Sequence, residues 1–336
     1  MHKKQIIECI PNFSEGKNST TLAAISTAIK SIPSVKLLHI DNGAAANRTV
    51  YTFAGPPQQV VEAAFQAIKV AGALIDMRTQ KGEHPRIGAT DVCPLVPIAN
   101  ISMEEVIAYA NQLGERVTKE LDIPVYLYEH SAKTPKRKNL ATIRSGEYEG
   151  LAQKMELPEW QPDFGTTFNA KTGATVLGAR DFLIAYNVNL DTTSVDVATQ
   201  IAQAIRESGK VVKTTMGEKI RIPGRCKSLK AIGWYIEEYG KAQVSINLTN
   251  FKQTGIHEAY EACKIAAQET GTVVTGSELI GLIPLKAILA AGQFYAHKNG
   301  LIDLSEKTLI QLAVDELGLS ELSPFNFEER IIEYLL

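Results

Sequence analysis

The sequence predicts an α+β fold: two similar split-βαβ (ferredoxin-like) α/β sandwich subdomains with a ligand groove between them. Three observations carry that expectation. The chain has 336 residues, 45% of them hydrophobic, and a single core stops growing near about 250–300 residues. Apolar spacing alternates between helical and strand periods along the chain. The order β-α-β-β-α-β occurs twice, with turn-rich sequence between the two series.

Residues 5–10 (QIIECI) form a strand stopped by Pro11. Asn18 and Ser19 then introduce a helix whose apolar positions 22, 25, 29 and 32 share a face. VKLLHID (35–41) and RTVYTFAG (48–55) end in turn residues and read as adjacent strands. A helix over 57–78 follows, then the Gly- and Pro-rich loop KGEHPRIGA, a strand in 90–98, a helix over 102–120 and a strand over 124–130. Segment 131–173 holds the basic run KTPKRK, a short helical stretch around EYEGLAQKM and the turn-rich PEWQPDFGTTFNAKTGA, and reads as a connector joining the halves through its 160–175 loop. The second series starts in 174–190. It continues with a helix at 193–208, strands at 229–237 and 241–249, a helix at 255–270, a strand in GTVVTGSELIGLI, and helices at 284–299 and 305–318. The expected domains are 1–175 and 176–336, each with helices mainly on one sheet face.

Composition excludes several classes. A net charge of −2 lacks the footprint of a nucleic-acid binder. The N-terminus has only a broken apolar stretch and does not read as a secretory signal. No run of about 18 apolar residues spans a membrane. Cys9, Cys93, Cys226 and Cys263 lie far apart without C-x-x-C pairs, and read as small buried residues in a reducing cytosol. There is no H-E-x-x-H or Cys/His cluster with metal-ligand spacing, so no metal is expected. GATVLGAR lacks the Lys and Ser/Thr of a P-loop, GxGxxG is absent, and nucleotide chemistry is not expected.

Among six histidines, His84 stands out. It lies in KGEHPRIGATDVCP (81–94) with Glu83, Arg86 and Asp91 nearby, and Pro85 stiffens the backbone after it. An imidazole exchanges protons in both directions near neutrality, although composition leaves an ordinary polar loop equally open. Cys93 follows on the same loop and strand, and its apolar VCPLVP context favours a buried thiol over a nucleophile.

Longer stretches carry a family resemblance. IIECIPNFSEGKN (6–18), NRTVYTFAGPP (47–57), KGEHPRIGATDVCPLVP (81–97), PVYLYEHSA (124–132), GATVLGARDFLIAYNVNL (173–190) and IGWYIEEYGKAQVSINLTNF (232–251) resemble the glutamate formimidoyltransferases of histidine degradation, as do SELIGLIPLKA (277–287) and SPFNFEERIIEYL. The resemblance implies transfer of the formimidoyl group of N-formimidoyl-L-glutamate to N5 of the co-substrate tetrahydrofolate, releasing L-glutamate. It places the catalytic histidine at His84 and the folate-contacting loop at Gly165, Thr166, Thr167, Phe168, Asn169, Ala170, Lys171, Thr172, Gly173 and Ala174. It also implies a homodimer. Folate is expected in the groove between the halves, because the His84 loop lies in the first and the 165–174 loop bridges to the second. In animals the family is often fused to a cyclodeaminase, and here ammonia release is expected from a separate protein.

The chemistry asks for supporting groups. Asp41 and Asp91 are candidates to orient the imidazole or hold the amidinium. Arg48 and Arg86 are candidates for the substrate carboxylates, with structural bridging as the alternative. Asn12, Asn47 and Asp163 are candidates for the pterin or amidine, with turn chemistry as the alternative. Two rival functions remain: formyl transfer between folate and glutamate, and folate binding without catalysis.

Overall fold

A computed structural model describes residues 4–43, 47–82, 85–213 and 217–336. It divides into two compact units, the first ending at Asp181 and the second running from Phe182 to Leu335.

Five strands and two helices of the first unit build a split βαβ. Pro11 interrupts the first strand, which becomes β1 (Ile6–Cys9) and β2 (Asn12–Phe13). Helix α1 (Ser19–Lys30) starts where the Asn18 side chain accepts from the amides of Thr20 and Thr21, which satisfies two of the donors a helix start leaves open. Strands β3 (Lys36–Gly43) and β4 (Arg48–Gly55) form a hairpin. Helix α2 (Pro57–Leu74) starts with proline at its first position and ends four residues short of the expected 78. It leads into β5 (Thr90–Ala99). The antiparallel order is β3, β4, then β1 and β2, then β5.

The unit then extends beyond that motif. Helix α3 (Met103–Leu121) opens with a Ser102/Glu105 capping box. Strand β6 (Val125–Leu127) and strand β7 (Thr175–Ala179) follow, and β7 lies parallel to both β5 and β6. A boundary at 175/176 therefore falls inside β7, and the 174–190 stretch holds two strands belonging to different sheets. Asp181 and Phe182 mark the change of unit.

The expected connector is a second layer of the first unit. Helices α1, α2 and α3 bury Ile25, Phe65, Ile68 and Val117 against Ile7, Phe13 and Phe53 on one sheet face. On the opposite face lie α4 (Leu140–Arg144) and α5 (Glu147–Met155). Ile143, Leu151, Met155 and Trp160 fill a core there with Val92, Tyr126 and Val176. The segment cannot span between units, because its apolar side chains are the cover of this face. The long helices lie on one face, and the two short ones add a cover on the other.

The second unit repeats the motif. Strands β8 (Ile184–Leu190), β11 (Leu229–Ile236), β12 (Lys241–Leu248) and β13 (Val274–Ile280) form an antiparallel sheet in the order β11-β12-β8-β13. Helix α6 (Val195–Ile205) follows β8 and helix α7 (Ile256–Glu269) follows β12. A hairpin of β9 (Lys210–Lys213) and β10 (Lys219–Ile222) is inserted before β11, and α8 (Leu285–Lys298) and α9 (Glu306–Glu316) are appended. The two units share one motif with different additions.

If 140–160 is a structural layer, truncating its apolar residues must cost as much as truncating a core. Ile143→Ala and Leu151→Ala should each lower unfolding free energy by about 2–5 kcal/mol in urea titrations. A loss below about 0.5 kcal/mol, as at exposed linker positions, would return the segment to a connector.

Candidate active site

The first unit assembles its chemistry around Asp91. In the pairing of β5 with β2, Asn12 stands opposite Val92 and Phe13 opposite Thr90, which leaves Asp91 as the extra residue of a bulge. A bulge re-aims a side chain that a regular strand would fix on one face. The Asp91 carboxylate is fully buried. Its Oδ2 accepts from Arg48 of β4 and Arg144 of α4, each at 2.5 Å, and its Oδ1 accepts from the Ile87 amide at 3.0 Å. Burial alone pushes the carboxyl up, but the two guanidinium groups outweigh it and hold the acid below its usual range. Two cations against one anion leave this cluster with a net positive charge.

Asn12 holds the arginine. Its Oδ1 accepts from Arg48 Nε at 3.1 Å and from Arg48 Nη2 at 2.8 Å, and its Nδ2 donates to the Ile10 carbonyl. Asn47, at φ +47°, receives the Gly16 amide and donates to the Lys81 carbonyl at 2.6 Å. Both amides are spent on the protein, one orienting Arg48 and one anchoring the start of the 81–89 loop.

Glu83 and His84 lie outside the described residues. Their flanks are tightly held. Arg86 donates to Glu147 at 2.9 Å, to both oxygens of Glu149 at 2.7 and 2.9 Å, and to the Gln80 side chain at 2.9 Å. With its side chain only 6% exposed, Arg86 is a bridge between loop and α5 and does not present itself to a substrate carboxylate. Asp163 is likewise committed, accepting from the Leu127 amide and from Arg137. Asp41 sits exposed on the edge strand β3, opposite Val50.

The 165–174 loop meets the 81–89 loop at its base. Gly88 bridges Gly173, Ala89 N donates to Thr172 O at 2.7 Å, and Ala174 N donates to Ile87 O at 3.0 Å. A Cβ on Gly88 would lie 2.1 Å from the Ala174 carbonyl oxygen, so only glycine allows the approach. Asn169 closes the loop on itself by accepting from the amides of Lys171 and Thr172. Lys171 Nζ donates to Ala73 O. Thr166 and Thr167 are exposed, and the Phe168 ring lies 6.0 Å from that of Tyr148.

Several partners escaped the sequence reading. The helical stretch EYEGLAQKM is legible in the sequence and is α5, but α4, five residues long, shows no periodicity, and nothing local marks Arg144, Glu147 or Glu149 as partners of Asp91 and Arg86. The second unit carries a polar sheet face that alternation does signal: in YNVNL, Tyr186 and Val188 face the core while Asn187 and Asn189 share the other side. There Gln243 donates to Asn189 at 2.8 Å, and Asn187 donates to Glu278 at 3.2 Å. Cys9 and Cys93, far apart in sequence, have their sulfurs 3.5 Å apart on neighbouring strands, both buried. Among the described residues no His, Cys, Asp and Glu group has the arrangement of a metal site, and no helix is long and apolar enough to cross a membrane.

These features define a two-unit α+β protein whose first unit places a buried acid between two arginines beneath a pair of interlocked loops. Residues 6–180 match the N-terminal subdomain of the formiminotransferase domain, and residues 185–336 match the formiminotransferase domain. The chain is 49% identical to rat formimidoyltransferase-cyclodeaminase over 99% of its own length, and spans 60% of that relative. It is 44% identical to the glutamate formimidoyltransferase of Streptococcus pyogenes and 40% identical to that of Thermoplasma acidophilum, covering 93% of each. The chain belongs to the formiminotransferase family.

The Arg86 bridge has a pH signature. The hydrogen bonds from Arg86 hold the Glu149 carboxyl at about 2, below its ordinary 4.5. A depressed acid stabilises the fold fully above the unfolded value and loses that contribution as pH falls through the folded one. Comparing thermal midpoints with Glu149→Gln should therefore show a gap at pH 6 that narrows between about pH 4.5 and 2. A gap that stays constant across that window would refute the pairing.

Proposed function

We propose that the chain is a glutamate formimidoyltransferase, moving the formimidoyl group from N-formimidoyl-L-glutamate to N5 of tetrahydrofolate and releasing L-glutamate. The observation that carries this reading is the match to relatives of that name over 93% of their own length. The site chemistry supports it. In the reaction one carbon–nitrogen bond forms and another breaks, a proton leaves the attacking nitrogen, and a proton reaches the nitrogen of the departing glutamate. His84 is the acid/base that moves those protons, an effect worth about 10²–10⁴ in rate.

The remaining roles follow from which groups the protein has already spent. Asp91 is buried under two arginines and serves to hold them. The net positive charge of that trio attracts the anionic donor to this part of the unit, while Arg48 and Arg144 themselves stay bonded to Asp91 and Asn12. Asp41, exposed, is left to orient the imidazole or meet the amidinium. In the 165–174 loop, Asn169 and Lys171 shape the loop, while Thr166, Thr167 and the Phe168 ring are the groups that hold the flat pterin system. Arg86 and Asp163 are structural. A cytoplasmic setting fits four buried cysteines without C-x-x-C spacing, and a homodimer follows from the family resemblance and is tested by sedimentation.

Glutamate release with formimidoylglutamate and tetrahydrofolate tests the function. His84→Ala should lower kcat by about 10²-fold or more, with folate affinity nearly unchanged by equilibrium binding. Absent turnover, alongside activity on 5-formyltetrahydrofolate plus glutamate, would overturn the reading in favour of formyl transfer. Undiminished turnover in His84→Ala would remove His84 as the acid/base.

A further inference from the structure

The bases of the 81–89 and 165–174 loops are joined by backbone bonds, and among the described residues the first turn of α5 also touches both loops. Tyr148 stands at that junction. Its amide donates to the Arg86 carbonyl at 2.9 Å, its hydroxyl donates to the Ala170 carbonyl at 2.6 Å, and its ring faces Phe168 at 6.0 Å. The residues beside it, Glu147 and Glu149, grip the Arg86 guanidinium from the same turn.

The backbone leading into this turn is strained. Gly146 has φ +90° and Glu147 has φ +51°, two left-handed residues in succession. For glutamate this conformation costs on the order of 1–2 kcal/mol, and such strain persists only where surrounding contacts enforce it. Here it turns the chain sharply enough that three consecutive side chains reach two different loops. A helix start without that cost would direct Tyr148 elsewhere.

We propose that Tyr148 is a positioning residue that locks the 165–174 loop to the loop carrying His84, and so sets the affinity for the tetrahydrofolate acceptor. The assignment rests on the transferase reading and extends it to a residue outside both loops. The hydroxyl acts on the acceptor side alone: its partner, Ala170, is in the 165–174 loop, and the donor-side arginines are held separately through Asp91. The link to the His84 loop runs through the Tyr148 amide, which any side-chain substitution leaves in place. Removing the hydroxyl therefore loosens acceptor binding while the proton-transfer loop keeps its anchor.

Tyr148→Phe removes that one hydrogen bond and keeps the ring. Steady-state kinetics should show the KM for tetrahydrofolate rising about 5–10-fold, the size of one lost hydrogen bond, with kcat and the KM for formimidoylglutamate within twofold. A purely structural tyrosine would lower the melting temperature without this split. Tyr148→Ala, which also removes the ring beside Phe168, should raise the same KM further. Hydrogen–deuterium exchange on the unliganded protein supplies a readout that needs no turnover: in Tyr148→Phe, peptides covering 165–174 should exchange faster. An unchanged KM for tetrahydrofolate, an equal rise for both substrates, or unchanged exchange would overturn the proposal. A wild-type protein that transfers no formimidoyl group would instead overturn the function, and the exchange result would still decide whether Tyr148 holds the loop.

Discussion

The first unit depends on one buried charge. Asp91 has no exposed surface, and an ionised carboxylate can stay there only because Arg48, Arg144 and the Ile87 amide surround it. Losing one partner of such a buried pair costs about 3–5 kcal/mol, since the remaining charge is stranded. The anchors come from four places in the chain: β4, α4, the 81–89 loop, and β2 through Asn12. One carboxylate thereby fixes where a strand bulge, a five-residue helix and a loop must meet. The same constraint explains the charge of the site. A second arginine, more than neutrality requires, leaves the cluster with a net positive charge.

Much of the fold was legible because it is periodic. The helices α1, α3 and α7 and the strands of both split βαβ motifs stand where spacing and caps put them, and the doubled element order reports a doubled architecture. The failures share a cause. Segment 131–173 contains only short helices and turns, so its apolar residues Ile143, Leu151, Met155 and Trp160 show no pattern that a core is being built. Where they pack is set by the uncovered face of β5, β6 and β7, which is a tertiary fact. The same applies to β7, which reads as the start of a second series until its parallel pairing with β5 and β6 is seen.

Residue types in the site were more legible than their partners. Asn12, Arg48 and Asp91 stand out by chemistry, but that they form one hydrogen-bonded group depends on the bulge in β5, which shifts Asp91 out of the strand's alternation. Asn47 and Arg86 illustrate the converse. Each looks able to meet a ligand, and each is consumed in tying down a loop. A polar residue in a functional loop is as often needed to hold the backbone as to touch the substrate, and only its bonded partners tell the two apart.

That distinction explains how stiffness is distributed between the paired loops. Their bases approach so closely that Gly88 and Gly173 leave no room for a side chain, and the backbone bonds there admit no sliding. Their outer parts rest on side chains, Arg86 against two glutamates and Tyr148 against Ala170, which can yield by rotamer without breaking the sheet. Backbone bonds thus join the two loops at their bases, and farther out they are joined by the side chains that the left-handed Gly146–Glu147 start of α5 brings to both of them.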